Sequence, residues 1–475
     1  MRLLRRCSAE RNLLTLTGFA GLGQGGRERG AGSGMTENAA GSIFRPEVET
    51  RAPEEQLERD RAAYRRQVEY LFARSAFHRE KLEAAGFSDP RAVGDLDGIA
   101  RLPFTEKDEI RASQAALPPL GRHQAASTEA IVRIYSTSGT TGEPCYMPLT
   151  TNDLAAWIEI SSRSYTATGL RRGARMVSTY NAGPFVAGAA LDAFANIGVC
   201  HIPVGTGNTE RLARALQALK PEILVCTPSY AQYLGEWLMD RGVDPATLGL
   251  TLISVAGEPG GGEPAFRSAL EATFNAKVCE AMGIGDVSIS LWGECAQQQG
   301  MHFSGGDHVH VELIDPASGA RRPLVDGAEG ELVYTALRRE AAPVLRFRSR
   351  DHVRVWTAPC PCGRKTIRTR CIGRTDDMLI VRGVNLFPTA VRDVVAGFRP
   401  EVSGALMIRP PAPGTRQEPP LPVDVELGPG SAARETLTQE IEAAIRAKLL
   451  VTVRVTLVPY SSLPRSEYKT KLVHH

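Results

Sequence analysis

The amino-acid sequence predicts an α/β protein in two parts: a large N-terminal domain of parallel strands flanked by helices, then a small α+β domain. Three observations lead there. Between Ile131 and Ala281 short, continuous apolar runs alternate with helical stretches, as expected of strands buried on both faces by crossover helices. A β-rich section follows over His308–Trp356. From about Thr375 the elements read βαββαβ over about a hundred residues, an ordinary domain size. The length of 475 residues fits about two to four domains. A composition 43% hydrophobic and 23% charged argues against a wholly disordered chain. Lys+Arg 56 against Asp+Glu 53 leaves a net charge of +3, which argues against an electrostatic nucleic-acid binder. No apolar run approaches the ~20 residues of a membrane span. Nine cysteines are too sparse for a disulfide scaffold, so a reducing cytoplasm is expected.

The elements follow in order. Residues 1–52 are expected to be a tail outside the fold. Residues 1–34 are rich in Arg and Gly and end in low complexity, and a disordered tail or a misassigned start is favoured over a transit peptide. From Pro53 to Ala85 the residues Leu57, Tyr64, Val68, Leu71 and Phe72 fall at helical spacing. In PFTEKDEIR (Pro103–Arg111), Thr105 with Asp108 is placed to cap a helix. IVRIYS and CYMPLT read as strands around a Gly/Thr loop, and DLAAWIEISSRSYTATG as a helix. RMVSTY, VCHIPV, EILVCTP and TLISVAG are strands, with helices NTERLARALQALK and PSYAQYLGEWLMDRG among them. Ligands of such sheets sit where the strands end in loops. HVHVELIDP, GELVYTAL and VLRFRSRDHVRVW supply the β-rich section. MLIVRG, a helix Thr389–Phe398, GALMIRP, PVDVELG, a helix Leu437–Leu450 and VRVTLVP complete the last domain.

The loop between the first two strands is the most informative segment. Ser136 to Pro144 reads STSGTTGEP. Glycines let backbone approach an anion, and N–H and O–H groups donate to phosphate oxygens. It lacks the Gly-Lys-Ser/Thr of the P-loop. Read alone, the same residues also suit a Ser/Thr/Gly surface loop.

Further segments carry a resemblance. SGTTG followed by Pro is similar to the phosphate loop of the adenylate-forming superfamily, which holds acyl-CoA synthetases, non-ribosomal adenylation domains and luciferases. AGEP (Ala256–Pro259) resembles its adenine-contacting turn, FRSRD (Phe347–Asp351) its ribose-binding segment, and GRTDD (Gly373–Asp377) its interdomain hinge. PFTEKDEIR, TPSY at 227–230, DDMLIVRGVNLFPT at 376–389 and LPRSEYK at 463–469 are similar to phenylacetate–CoA ligases, from about Pro53 to the C-terminus.

That resemblance implies an AMP-binding domain over 53–374 and a ferredoxin-like lid over 375–475. It implies an acid–thiol ligase that joins a carboxylic acid to AMP, releases pyrophosphate and passes the acyl group to coenzyme A. ATP, CoA and Mg²⁺ are the expected cofactors. Ser136, Thr137, Ser138, Gly139, Thr140, Thr141 and Gly142 would hold phosphates, with Thr140 acting in catalysis. Gly257, Glu258 and Pro259 would line adenine, beside Met282 and Gly283. Asp286 would ligate Mg²⁺ and serve catalysis. Asp351 would accept from the ribose, and Arg374 would lie near ribose and phosphate. Lys469 would quench charge in the adenylation step, with Lys471 as its substitute. Asp376 would be the pivot.

The chain departs from the pattern in places. Glu143 and Cys145 stand where the loop usually carries Lys. Met282-Gly-Ile-Gly-Asp286 replaces Tyr-Gly-x-Ser/Thr-Glu, losing an aromatic ring and, at Gly285, a hydroxyl. Tyr468 replaces a usual Gly. Cys360-Pro-Cys362 and Cys295-x6-His302 are pairs suited to a structural Cys3His zinc site, with His308, His310 and Cys371 as substitutes. A disulfide and unconnected buried thiols are the other readings. The family implies an aromatic or arylacetic acid, for which Tyr180 to Phe185 and the backbone at Ala256 and Gly257 are pocket candidates. The rival activities are an adenylating amide synthetase and a non-catalytic nucleotide-binding paralogue. No nucleic-acid or membrane partner is expected, and a homodimer is an assembly this reading admits.

Overall fold

A computed structural model describes residues 43–137, 144–181, 188–465 and 471–474. The strands β1 (Ile131–Thr137) and β2 (Cys145–Thr150) form an antiparallel ribbon in which Thr137 faces Cys145. The four apolar runs expected to be strands are β3 (Arg175–Ser178), β4 (Cys200–Pro203), β5 (Ile223–Cys226) and β6 (Leu252–Ala256); β7 (Lys277–Ile284), which is not among them, joins them in a parallel array. Every residue of β5 and β6 is buried, because helices cover both faces. Leu212, Leu216, Leu234 and Phe266 pack on one face, and Tyr165, Ala190 and Phe194 on the other.

At β7 the sheet changes character. It continues antiparallel through β8 (Ser288–Glu294) and β9 (Met301–Phe303), then β10 (Val309–Ile314), β11 (Arg321–Arg322), β12 (Glu329–Ala336), β13 (Phe347–Trp356) and β14 (Arg368–Arg374). The order across the twelve strands is β11-β10-β12-β13-β14-β9-β8-β7-β6-β5-β3-β4. β14 sits between β9 and β13, so Arg374 pairs in register with Asp351.

The last hundred residues contain β15 (Leu379–Val381), β16 (Val384–Leu386), β17 (Val402–Ile408), β18 (Arg416–Gln417), β19 (Leu421–Leu427) and β20 (Val453–Val458), with helices Pro388–Ala396 and Leu437–Leu449. The expected ferredoxin-like strands divide into two sheets, β16-β15-β18 and β17-β19-β20. The cause is local. Arg382 and Gly383 both take positive φ, which folds MLIV back on VNL as a tight hairpin instead of sending it into the larger sheet. Leu379, Val395, Ile408, Val423, Ile441 and Val455 share one apolar cluster, whose members all lie beyond residue 378.

Three local expectations are corrected. The fold begins before Pro53: Pro46–Glu49 is helical, and buried Glu49 accepts from Arg364 Nε at 2.7 Å. The helix expected across Pro53–Ala85 breaks at Ser75, whose hydroxyl caps a second helix, Ala76–Ala84, by accepting from His78 N. Thr105 does not cap the helix Lys107–Ala116. Its hydroxyl donates to Leu345 O at 2.6 Å, and the Glu109 carboxylate accepts from Glu106 N at 2.7 Å in its place. A carboxylate has the longer reach back to the free N–H groups of the first turn. Among the described residues no helix is long and apolar enough to cross a membrane.

Candidate active site

The described candidate residues lie at the ends of β1, β6 and β7 and on β13 and β14. Ser136 and Thr137 close β1, and both are buried. Ser138, Gly139, Thr140, Thr141 and Gly142 lie outside the described residues, as does Glu143.

The turn after β6 is shaped by glycine. Gly257 has φ of 96°, a left-handed conformation that side chains oppose. Glu258 accepts from Ser229 N at 2.8 Å, tying this turn to the start of the helix Pro228–Met239. Sequence reasoning stopped at Pro259, yet Gly261 and Gly262 matter as much. A Cβ on Gly261 would stand 2.4 Å from Val255 Cγ2, and one on Gly262 would stand 2.7 Å from Glu280 Oε2. Glu280 is buried on β7, and burial, reinforced by Glu294, pushes its carboxyl up to about 7.

The Met282–Asp286 segment ends β7. A Cβ on Gly283 would fall 1.7 Å from Ile289 O, so only glycine fits. Asp286 is buried. Its Oδ2 accepts from Lys107 Nζ at 2.9 Å, and its Oδ1 has no hydrogen-bond partner among the described residues. Its backbone carbonyl accepts from Arg339 Nη1 at 3.0 Å, which fixes the segment from behind.

On the other side, the ribose and hinge candidates meet. Arg374 Nη1 lies 3.4 Å from Asp351 Oδ1, and its Nη2 lies 2.6 Å from Asp376 Oδ2. Asp351 is 8% exposed, and burial pushes its carboxyl up to about 6 against the pull of Arg374. Lys469 lies outside the described residues, and the chain on either side of it is anchored. Arg465 binds Glu426, and its Nη2 stands 3.1 Å from Glu236 Oε2. Beyond, Ile408 N donates to Leu472 O at 2.8 Å. Lys471, the substitute for Lys469, is exposed.

Helix Pro388–Ala396 presses the last hundred residues on this site. Arg392 donates to Pro259 O and, through Nη2, to Glu263 Oε1 at 3.0 Å. Asp393 Oδ1 accepts from Ala265 N at 2.9 Å. Nothing in the sequence flagged Arg392, Arg465 or Lys107, whose partners lie far away along the chain.

Of the pocket candidates, Tyr180 is buried, its ring stacked 6.2 Å from Phe194, and Ala256 is buried at the end of β6. Residues 182–187 lie outside the described part.

Away from these strand ends, Cys295, His302, Cys360 and Cys362 place one ligand atom each within 4.8 Å of one another. Cys295 Sγ stands 3.6 Å from Cys360 Sγ, and Cys362 Sγ stands 3.3 Å from His302 Nε2. A tetrahedral zinc with Zn–S of about 2.3 Å sets S···S edges of about 3.8 Å, so the spacing suits that ion. The hydrogen bond from Cys295, then His302, holds the Cys362 thiol far down, at about 2, which favours the thiolate a metal needs. The substitutes are elsewhere: His310 Nδ1 lies 3.6 Å from Asp60 Oδ2, half-buried His308 has Glu159 and Arg163 as neighbours, and Cys371 Sγ approaches Gly373 O at 3.6 Å.

The chain is similar to known proteins along most of its length. The family described as AMP-binding enzyme C-terminal domain matches residues 383–475. A phenylacetate–coenzyme A ligase of Thermus thermophilus is 35% identical over 444 residues, 90% of this chain and 97% of that one. A 2-hydroxyisobutyryl-CoA ligase in the postadenylation state, in complex with 2-HIB-AMP, superposes with a TM-score of 0.84 at 26% identity, covering 93% of this chain and 94% of that one. The same ligase in the thioesterification state with 2-HIB-AMP and CoA superposes at 0.67 and 28% identity, over the same shares. With 35% identity over nearly the full length of such a ligase, the chain belongs to the phenylacetate–CoA ligase family of adenylate-forming enzymes.

Proposed function

We propose that this protein activates an aromatic or arylacetic acid with ATP and passes the acyl group to coenzyme A, giving aryl-CoA, AMP and pyrophosphate. The observation that carries the reading is the meeting of Asp351 and Asp376 on the Arg374 guanidinium, which joins the ribose-like and hinge-like segments. In the first step a carboxylate oxygen attacks the α-phosphorus, the bond to the bridging oxygen breaks, and pyrophosphate leaves. In the second step the CoA thiol forms a bond to the acyl carbon, the C–O bond to AMP breaks with its electron pair, and the thiol proton passes to solvent.

The chain's own groups position these atoms. The left-handed Gly257 turn lets backbone approach adenine without a Cβ in the way. Asp351 accepts from the ribose hydroxyls, and Arg374 keeps its carboxylate directed there. Ser136 and Thr137, with the loop residues to Gly142, donate to the phosphates. Mg²⁺ bound with ATP would neutralise phosphate charge, and the partnerless Asp286 Oδ1 is a hard oxygen suited to hold it. Residues 375–475 form the lid, which pivots near Asp376 to bring Lys469 to the α-phosphate and later to clear the path for the thiol. Zinc on Cys295, His302, Cys360 and Cys362 would be structural, since four protein ligands leave no open position. A reducing cytoplasm would keep those thiols available.

Acid-dependent pyrophosphate exchange over a panel of aryl acids, followed by mass spectrometry of the CoA product, tests the reading. Exchange and a thioester with an aryl acid are expected. Exchange with an amide product, or no exchange with any acid, would overturn it.

A further inference from the structure

Arg399 and Arg465 lie near each other in the last hundred residues, and that region supplies one carboxylate to the two of them. Fully buried Glu426 on β19 accepts from Arg465 Nη1 at 3.0 Å. Arg399 donates to Ser403 O; among the described residues it makes no ion pair, and its buried Nε has no hydrogen-bond partner. Gly404, with φ of 86°, makes room for that guanidinium, since a Cβ there would stand 2.8 Å from Arg399 Nε. Burial presses the Arg399 pKa down, Glu236 opposes it and Arg465 adds to it. One positive charge here is short of a counter-ion from its own part of the chain.

The larger part supplies it. Glu236 lies on the helix Pro228–Met239, whose first turn holds Glu258 through Ser229 N. Its side chain is 11% exposed. Gln232, one turn earlier, donates to Glu236 Oε1 at 2.8 Å and leaves the other oxygen for the lid. Oε2 accepts from Arg465 Nε at 3.1 Å, with Arg465 Nη2 at 3.1 Å as well. The same Gln232 amide donates to Ser403 O at 3.0 Å, so one helix face grips the lid at two points. Arg465 would keep Glu426 if the two parts separated, so undocking leaves no buried cation without a partner. The contact is therefore both specific and reversible. The docked arrangement superposes better on the postadenylation state of the 2-hydroxyisobutyryl-CoA ligase than on its thioesterification state.

We propose that Glu236 is a positioning residue for adenylation: through Arg465 it docks the lid for the first half-reaction, and the contact opens for the second. This rests on the reading of the protein as a ligase that forms an acyl-adenylate. Glu236 acts through Arg465 and not on the reacting atoms.

The test is single-turnover kinetics of each half-reaction with the full chain, using the aryl acid that supports pyrophosphate exchange and its preformed adenylate, for wild type, Glu236→Gln, Glu236→Asp and Gln232→Ala. Glu236→Gln is expected to slow adenylation about fivefold and to leave thioester formation within about twofold, or faster. Glu236→Asp keeps the charge at shorter reach and should recover part of the loss. Gln232→Ala should move the ratio of the two rates in the same direction, and it serves if Glu236→Gln folds poorly. Equal slowing of both half-reactions, which a merely structural role would give, or an unchanged ratio beside an active wild type, would overturn this assignment alone. Wild-type protein that forms no acyl-adenylate from any aryl acid would overturn the proposed function, and this assignment with it.

Discussion

Nucleoside affinity should depend on pH through one carboxylate, Asp351. Burial raises its pKa from 3.8 to about 6. For stability the sign is definite. A carboxyl that binds its proton more tightly when folded contributes stability that is complete below about pH 4 and lost as pH rises past about 6. The shift of about two units bounds that contribution at about 3 kcal/mol. Ribose binding runs the other way, because hydroxyls donate to the ionised carboxylate. If only that form binds, about one-eleventh of the sites are competent at about pH 5 and about ten-elevenths at about pH 7. Affinity should therefore rise about tenfold over that interval. Adenosine is the ligand to use, since it has no phosphate to titrate. Calorimetry at about pH 6 in two buffers of different ionisation enthalpy should show about half a proton released per adenosine bound. Asp351→Asn should remove both the proton release and the pH slope attributable to this site, leaving only what Glu280 contributes near about 7. A variant that kept the tenfold slope would refute the reasoning.

Lys469→Ala should lower adenylation by orders of magnitude while largely sparing thioester formation from a preformed acyl-adenylate, and single-turnover assays of each half-reaction would check it. Cys360→Ser should lose the zinc carried by protein purified without chelator and should melt at lower temperature, whereas equal zinc by mass spectrometry would remove Cys360 from the site. Arg392→Ala leaves half-buried Glu263 facing Asp393 and Glu258 without its cation, a loss of up to about 3 kcal/mol, at the low end for a broken buried pair. Faster hydrogen exchange in the helix Pro388–Ala396, with adenylation slowed more than thioester formation, is the expected outcome, and unchanged exchange would contradict it.

Legibility followed sequence distance. Strands β5 and β6 were readable because each is a short apolar run buried on both faces throughout, whereas β4, at the sheet edge, was readable by its apolar pattern although none of its residues is buried. Asp351 and Arg374 were readable through motifs, although what joins them is the β13–β14 register. The Cys and His residues were readable as two pairs, and only the placement of β9 beside β14 brings His302 to the Cys360–Cys362 turn. Lys107 was not readable as a site residue, since its partner Asp286 is 179 positions away and a lysine in a charged helix start resembles any solvated one. Residues 43–52 were read as tail for a similar reason. They have little apolar periodicity, and an anchor of that segment, the Glu49–Arg364 pair, spans 315 positions.

The division between apolar and polar contacts also bears on how a lid could move without unfolding. The last hundred residues keep an apolar cluster of their own, so their stability does not depend on where they dock. Across the boundary, Ala396 joins the larger part's apolar cluster and Phe387 packs on His352, beside a set of polar contacts: Arg392 with Glu263, Asp393 with Ala265 N, Gln232 Nε2 donating to Ser403 O at 3.0 Å, and Arg465 with Glu236. Water can replace such partners once they separate, so each contributes only about 1 kcal/mol net where it is not deeply buried. The deeper Arg392–Glu263 pair differs, because its groups are costly to leave unpaired, and it grips the very turn that would line adenine. A lid built this way is held by one demanding pair and several exchangeable ones. The conformation of the turn at Gly257–Pro259 and docking of the helix Pro388–Ala396 are thus coupled through Pro259 O. Loss of order at that turn would weaken the same hydrogen bond, from Arg392 to Pro259 O, that holds the helix Pro388–Ala396 there.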